Sequence, residues 1–221
     1  MKKSVLIILI VLSFSCSIEA QEIGNNKLEV NGGLTYNNYI YKKYDINNGI
    51  TEVDDDYLIR EDLHQGTGYY FEAIYWLDHQ WGLGVGLQNN EMEAEWESGT
   101  PAESYEYKVD LNTYYSSLIY RLNRTVQVYI DFNYNQYQEH YAKEDFSTDI
   151  KAGQGLGLMV GTKINYALNS SFALILNTGY YLSNIEIDER YSSYQGEVIN
   201  VDDEELKISG LGLKIGMQYK F

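Results

Sequence analysis

The sequence predicts an all-β protein, namely an eight-stranded antiparallel up-and-down transmembrane β-barrel. Three observations support this fold class: eight long segments alternate between apolar and polar residues, short and long connections alternate strictly between them, and the chain ends on an aromatic residue. A period of two places the apolar and polar side chains on opposite faces of a strand. In a transmembrane barrel the apolar face contacts lipid and the other face lines the lumen.

The last segment, residues 206–221, shows the alternation most clearly. Its apolar face consists of Leu211, Leu213, Ile215, Met217, Tyr219 and Phe221, and its other face of Gly210, Gly212, Lys214, Gly216, Gln218 and Lys220. A final strand that ends on an aromatic residue resembles the C-terminal barrel-assembly signal of bacterial outer-membrane proteins. The resemblance assigns that signal to Met217, Tyr219 and Phe221.

The connections between the predicted strands indicate the topology. The strands lie near residues 27–41, 65–77, 81–95, 105–122, 125–141, 152–168, 171–188 and 206–221. Tight turns fall at 78–80, 123–124 and 169–170, and longer polar connections near 42–64, 96–104, 142–151 and 189–205. Antiparallel strands place all the tight turns at one end, which is the periplasmic end in outer-membrane barrels.

Two segments alternate less regularly than the others. In the third, the apolar residues Leu83, Val85 and Leu87 are followed by Met92 and others in the opposite phase. We interpret this slip as the strand leaving the bilayer or as a bulge. In the fourth segment, residues 116–119 support either assignment of the two faces.

A soluble secreted barrel is the competing fold. Its large apolar residues fill the interior and its charges face water. In segments 125–141 and 152–168, one face is aliphatic or aromatic, and the other carries glycines or polar residues with single charges. This distribution favours the membrane barrel.

Segments 152–168 and 206–221 resemble those of small eight-stranded outer-membrane proteins, a group that includes the OmpA transmembrane domain, OmpX and the opacity proteins. The resemblance implies a multi-pass barrel in the outer membrane of a diderm bacterium. Outer-membrane lipids and the barrel-assembly machinery are then its expected partners. An activity does not follow, because the group includes structural proteins, adhesins and enzymes.

The N-terminus predicts export. Two lysines precede an apolar run at residues 5–12, which is too short to span a bilayer but suits a signal peptide. We expect residues 1–20 to form the signal peptide, with cleavage after Ala20, and residues 21–221 to form the barrel domain. Cys16, the only cysteine, offers an alternative as a lipid acceptor.

Composition limits the partners. Cleavage removes Lys2, Lys3 and Glu19 from 16 basic and 32 acidic residues, so the mature net charge is −17. Such a charge excludes electrostatic attraction to nucleic acid. The 23 tyrosines suit belts at the membrane surfaces, although tyrosine also favours strands in general.

Charged residues on the inward phase predict an interior network. The predicted members are Glu72, Asp131, Lys163, Lys214 and Arg121. An eight-stranded barrel is just wide enough for side chains to fill it, so buried charges must pair. The alternative is an ion path along the same residues, as in a small porin-like channel.

Acidic clusters occupy the predicted extracellular end. They include residues 54–56, 91–97 and 202–205, and carboxylates of this kind bind divalent cations or extracellular protein partners. A solvated acidic surface is the simpler interpretation, because no cluster has the spacing of an EF-hand loop.

Catalytic candidates are few. His64 and His140 fall at extracellular strand ends, His79 falls in a tight turn, and Ser104 or Ser147 is a candidate nucleophile. Hydrolase and metalloprotease motifs are absent from the sequence, so we predict no enzyme, no catalytic or metal site and no cofactor. An enzyme that modifies lipid A is the less favoured alternative.

The predicted function is therefore a structural or surface-interaction role based on four acidic extracellular loops. The predicted strands have 13 to 18 residues, whereas about 10 suffice to cross the membrane. Strands that continue beyond the membrane form a protruding sheet whose edge binds partners by strand addition. We expect the surface to include Tyr39, Tyr41, Tyr105, Tyr107, Tyr137 and Tyr141.

Overall fold

The computed structural model describes residues 28–45, 50–53, 65–98, 103–143, 146–191 and 198–221. Side chains are described for 28–40, 65–93, 108–140, 152–187 and 205–221. The strands are β1 (Leu28–Asp45), β2 (Ile50–Val53), β3 (Gln65–Trp76), β4 (Trp81–Ser98), β5 (Glu103–Arg121), β6 (Val126–Lys143), β7 (Phe146–Ala167), β8 (Phe172–Tyr191) and β9 (Val198–Lys220). No helix in the described part of the chain is long and apolar enough to cross a membrane.

Eight strands close into an antiparallel barrel. β1 pairs with β3, each later strand pairs with the next, and β9 pairs with β1 to complete the ring. The short β2 pairs with the upper end of β1. Because closure pairs every barrel strand on both sides, backbone polar groups are satisfied within lipid. The predicted eight-stranded fold is confirmed.

The pairing is staggered around the ring. A path that starts at Glu29 on β1 and passes from each residue to its partner on the next strand returns to β1 at Tyr39. The return point is ten residues further along β1 than the start. Such a stagger tilts the strands and sets the width of the barrel, and with eight strands the interior is narrow enough for side chains to fill.

The three tight turns share one hydrogen-bond pattern. In each, the first polar side chain accepts bonds from backbone N–H groups two and three residues later, at 2.7 to 2.9 Å. The acceptors are Oδ1 of Asp78, Asn123 and Asn169. Aspartate and asparagine favour such turns for this reason. The predicted turns are confirmed, and they lie at the end of the barrel where the chain also terminates.

The predicted long connections contain more strand than the sequence indicated. β4 continues to Ser98, β5 begins at Glu103, and β7 begins at Phe146. Only residues 144–145 separate β6 from β7, where a connection near 142–151 was predicted. Polar residues were assigned to loops, but they alternate on strands that pair beyond the membrane. Many of the predicted loop carboxylates therefore lie on strands.

The two irregular segments have simple structures. β4 pairs with β3 and β5 without a register shift. Of the two interpretations of its change of phase, the bulge is therefore wrong. Met92 is fully buried on the inward face, in phase with the glycines before it. In β5 the odd-numbered residues face inward: Ser117 and Ile119 are buried, whereas Leu118 is exposed.

The outer face is apolar below one level and polar above it. Exposed side chains of the apolar band include Leu34, Phe71, Val85, Phe132, Leu156, Leu182 and Ile215. One neutral polar residue on each strand then forms a ring, which we call the polar belt: Asn38, Thr67, Asn89, Asn112, Gln136, Gln154, Asn184 and Ser209. The belt marks the extracellular boundary of the membrane.

The inner face changes in the opposite sense at the same level. On four strands, the inward residue just below the belt is polar, and the next inward residue, just above the belt, is apolar or aromatic. These residues are Asn37 and Tyr39 on β1, Thr113 and Leu111 on β5, Asn135 and Tyr137 on β6, and Ser183 and Ile185 on β8. The membrane section thus has an apolar outside and a polar middle. The section above the membrane has an apolar inside, as in a soluble barrel.

Candidate functional site

Four charged side chains are buried in the middle of the lumen, and two of them form an ion pair. Lys163 Nζ lies 2.5 Å from Glu72 Oε2, and Asn31 Nδ2 donates to the same oxygen at 2.6 Å. Asp131 accepts a hydrogen bond from Ser117 Oγ at 2.6 Å. The fourth member, Lys214, is buried as well. These residues, Glu72, Asp131, Lys163 and Lys214, are called the charge quartet below.

Aromatic rings surround the second ammonium group of the quartet. Lys214 Nζ lies 4.4 Å from the ring centroid of Tyr115 and 5.5 Å from that of Tyr70. A cation over an aromatic face is attracted by the ring quadrupole, and desolvation strengthens that attraction. With two carboxylates and two ammonium groups, the quartet carries no net charge when all four are ionised, which limits the desolvation cost of burying them.

Arg121 lies apart from the quartet, near the periplasmic end. Its Nη2 is 3.5 Å from Glu29 Oε1, and its guanidinium carbon lies 3.6 Å from the ring centroid of Trp76. Gln218 Nε2 donates to Glu29 Oε2 at 2.7 Å. Glu29 is not among the predicted members of the interior network. It lies on the same face of β1 as Asn31, so the alternation of inward and outward residues along this strand could have identified it.

Tyrosine rings cover the inward-facing glycines. A Cβ added to Gly86 would lie 2.5 Å from Tyr115 Oη, and one added to Gly161 would lie 2.6 Å from Tyr129 Oη. Gly216 has the same relation to Tyr70, also at 2.6 Å. The glycines therefore make room for large rings on neighbouring strands, which explains why a glycine-rich face lines a filled lumen.

Amides and hydroxyls link the strands above the quartet. Asn90 Oδ1 accepts from Thr35 Oγ1 and from Asn37 Nδ2, each at 2.6 Å. Asn135 accepts from Thr113 Oγ1 at 2.9 Å and donates to Ser183 Oγ at 2.9 Å. Several of the side chains that fill the lumen below the polar belt thus hydrogen-bond across strands.

Above the belt, apolar side chains fill the interior. Tyr39 is buried above the belt, and its ring centroid lies 5.8 Å from that of Tyr181, which is buried just below the belt. Other buried members are Met92, Val109, Leu111, Tyr137, Ile185, Ile187, Leu206 and Ile208. Tyr39 and Tyr137 were expected on the interaction surface, and this expectation is wrong because both side chains face the interior. The side chains of Tyr41, Tyr105, Tyr107 and Tyr141 lie outside the described residues.

Charged residues lie on the outer wall of β4, β5 and β6 above the belt. Lys108 Nζ is 2.6 Å from Glu91 Oε1 and 3.6 Å from Glu93 Oε1. The hydrogen bond from Lys108 lowers the pKa of Glu91, and the hydrogen bond to Glu91 raises the pKa of Lys108. His140 Nε2 lies 3.2 Å from Asp110 Oδ2. Carboxylates predominate in this outer wall.

The same wall ends in an edge. β3 begins at Gln65, and its pairing with β4 ends at Thr67 opposite Glu91. Within the described strands, Ala94–Ser98 of β4 pairs only with β5. We call this stretch the β4 edge. On the other side of the short strand β3, β1 continues to Asp45, and its upper end pairs with β2.

The two catalytic candidates whose side chains are described, His79 and His140, lie at opposite ends of the barrel. His140 faces outward beside Asp110, and His79 is exposed in a turn. His64 and the side chains of Ser104 and Ser147 lie outside the described residues, as do Cys16 and Ala20. No group of three histidine, cysteine or acidic residues in the described part of the chain is arranged to hold a metal ion.

The last strand presents its predicted residues to the membrane. Met217, Tyr219 and Phe221 are exposed on the outer face, with the rings of the two aromatic residues 4.7 Å apart. Phe221 N donates to Leu28 O at 3.0 Å, which joins the chain terminus to β1.

Comparisons with known proteins agree with this geometry. The chain is similar to OprG from Pseudomonas aeruginosa, with 15% identity, a TM-score of 0.51 and coverage of 89% of this chain and 96% of that one. It is also similar to Ail from Yersinia pestis, with 12% identity, a TM-score of 0.48 and coverage of 86% of this chain and 99% of that one. A third similar structure is the outer membrane protease OmpT from Escherichia coli, with 10% identity, a TM-score of 0.49 and coverage of 92% of this chain and 99% of that one.

No curated protein sequence matches the chain. A family model described as an outer membrane protein beta-barrel domain matches residues 7–221. The described fold is a closed β-barrel, as that description states. The chain therefore belongs to the outer membrane protein β-barrel domain family, and its location is the outer membrane.

Proposed function

We propose that this barrel is a non-enzymatic surface-interaction protein that binds extended, basic segments of extracellular partners along its acidic outer wall. The β4 edge is the observation that carries the proposal. Strand pairing continues above the membrane, and at Ala94–Ser98 it stops on one side within the described strands.

A strand edge offers backbone hydrogen bonds to an incoming chain. Partners that add a strand gain affinity from these bonds, and side-chain pockets on alternate residues provide specificity. Protruding strands without this purpose are usually covered or blocked, because free edges promote aggregation. The glutamates at positions 91, 93, 95 and 97 alternate along β4, and they protect the edge from pairing with a second acidic copy.

Charge selects the partner. Lys108 is the basic residue between Glu91 and Glu93, and Asp110 stands directly opposite Glu91 on β5. A segment that alternates basic residues with small or apolar residues matches this wall. Because exposed ion pairs are screened by salt, we expect binding to weaken as ionic strength rises.

The proposal is tested with the full chain in nanodiscs and a labelled eight-residue peptide that alternates lysine and threonine. The double variant Glu91→Lys with Glu93→Lys should weaken binding by about tenfold, since each exposed charge contributes up to about 1 kcal/mol. The matched control is Glu186→Lys with Glu205→Lys, which changes two glutamates opposite each other on β8 and β9.

The control variant should bind the lysine peptide like the unchanged protein, and a glutamate–threonine peptide should not bind. Unchanged binding in the β4 variant, or equal losses in both variants, would contradict the proposal. Retained heat-modifiability on electrophoresis verifies that each variant is still a closed barrel.

A further inference from the structure

A groove opens on the outer surface of the barrel at the level of the polar belt. Its volume is about 320 Å³, and it lies across β5, β6 and β7. It is lined by Asn112, Gln136, Tyr137, Gln138, Ala152, Gly153 and Gln154. Three of these, Asn112, Gln136 and Gln154, are belt residues that pair across the three strands.

Four of the seven lining residues carry neutral amides, namely Asn112, Gln136, Gln138 and Gln154. Each asparagine or glutamine side chain offers an N–H₂ donor and a carbonyl acceptor, so the groove presents both functions at several points. Ala152 and Gly153 on β7 are small, which leaves space beside the longer side chains of β5 and β6. None of the lining residues is charged, which favours a neutral, hydroxyl-rich ligand over an anion.

The rims of the groove extend this chemistry. Below it, the Tyr134 hydroxyl donates to Gln154, and the rings of Tyr134 and Tyr114 lie 6.4 Å apart on the outer surface. Above it, Asp110 and His140 form a pair at 3.2 Å. Sugar rings have apolar C–H faces that pack on aromatic rings and hydroxyls that bond to amides and carboxylates.

We propose that this groove binds the neutral saccharide headgroup of a membrane glycolipid. The position of the groove identifies a lipid as the source of the sugar. Directly below it on the same strands lie the lipid-facing side chains of Phe132 and Leu156, along which acyl chains would pack. The inference is independent of the proposed function, because it concerns β5–β7 at the membrane surface and not the β4 edge.

Native mass spectrometry of the full chain released from nanodiscs tests this inference. The nanodiscs contain a diacylglycerol lipid with a neutral disaccharide headgroup and a phosphatidylcholine with the same acyl chains. We expect the protein to retain the glycolipid preferentially. The double variant Gln136→Ala with Gln154→Ala should reduce that retention by about tenfold, as expected for the loss of two hydrogen bonds.

The control is Asn38→Ala with Thr67→Ala, which removes two polar side chains of the same belt on β1 and β3, on the other side of the barrel. It should retain the glycolipid like the unchanged protein, and the free disaccharide should not displace the lipid. Equal retention of both lipids, or no loss in the groove variant, would overturn the inference. Equal losses in both variants or displacement by free disaccharide would do the same, since they indicate a nonspecific belt or a soluble-sugar site.

Discussion

At the residue scale, the charge quartet shows how a narrow lumen accommodates ions. Glu72 is 4% exposed and Lys163 is 1% exposed, so neither is solvated by bulk water. A buried ion that loses its partner keeps its desolvation cost, whereas removing both ions removes the cost as well. The stability of the pair therefore depends on both members being present.

Lys163→Met should destabilise the barrel by about 3–5 kcal/mol, because it leaves the Glu72 carboxylate without its ammonium partner. The double variant Lys163→Met with Glu72→Gln should recover much of that loss. Urea unfolding in lipid vesicles, followed by tryptophan fluorescence, measures both. A single variant no less stable than the double variant would show that the pair is not coupled.

The contacts between glycines and tyrosines make a second residue-scale prediction. Gly86→Ala should destabilise the barrel by about 1–3 kcal/mol, because the added methyl group overlaps the Tyr115 ring. Gly32→Ala is the control, since its Cβ meets nothing closer than 3.6 Å. The same unfolding assay applies, and equal stability of the two variants would refute the packing argument.

The sequence indicated the inward phase of Glu72, Asp131, Lys163 and Lys214, and all four side chains are buried. It could not indicate which of them pair. Glu72 and Lys163 are 91 residues apart on strands that are not neighbours, so their contact depends on the stagger and closure of the whole ring. Arg121 was placed in the same network, but the stagger brings it to Glu29 instead.

At the element scale, the tight turns have a titratable member. Hydrogen bonds from the backbone N–H groups of Trp81 and Gln80 lower the pKa of Asp78 below its ordinary value of 3.8. Because the pKa of Asp78 is lower in the folded turn than in the unfolded chain, its carboxylate stabilises the folded turn at pH values above the unfolded pKa. That contribution is lost as the pH falls through the lowered value.

We therefore expect the amide resonances of Gln80 and Trp81 to titrate with a midpoint below 3.8. The turn at Asn169 has the same geometry with an amide acceptor, so its amides should not titrate with it. NMR of the barrel in micelles measures both turns in one sample. Identical pH profiles for the two turns would contradict this assignment.

Strand lengths were the least predictable elements. The connection near 142–151 looked like a polar loop because Lys143, Glu144 and Asp145 occur together. β6 and β7 nevertheless pair up to Lys143 and Phe146. Pairing above the membrane is stabilised by apolar side chains such as Ile185 and Ile208 inside the barrel, and local sequence does not reveal that these side chains meet.

At the scale of the whole molecule, the barrel reverses its faces at the membrane surface. Lipid surrounds the lower section, so apolar residues face outward there. Water surrounds the upper section, so the apolar residues face inward. The competing soluble-barrel interpretation is thus wrong for the membrane section, although its arrangement of faces occurs above the belt. The slip of phase at Met92 was the sequence signal of this reversal.

A filled lumen makes a prediction about ion transport. We expect no steady conductance in planar bilayers, because the quartet and the amide layer occupy the middle of the barrel. Lys214→Gln should leave the recording unchanged. A conductance that changes when Lys214 or Glu72 is neutralised would instead support the small-channel alternative.

The most direct test of the surface-interaction account is amide hydrogen exchange of the full chain in nanodiscs, with and without the lysine–threonine peptide. Strand addition at the β4 edge should slow exchange of the backbone N–H groups of residues 94–98 that point away from β5, while exchange in β8 remains unchanged. Peptide binding that leaves exchange at residues 94–98 unaltered would contradict the account.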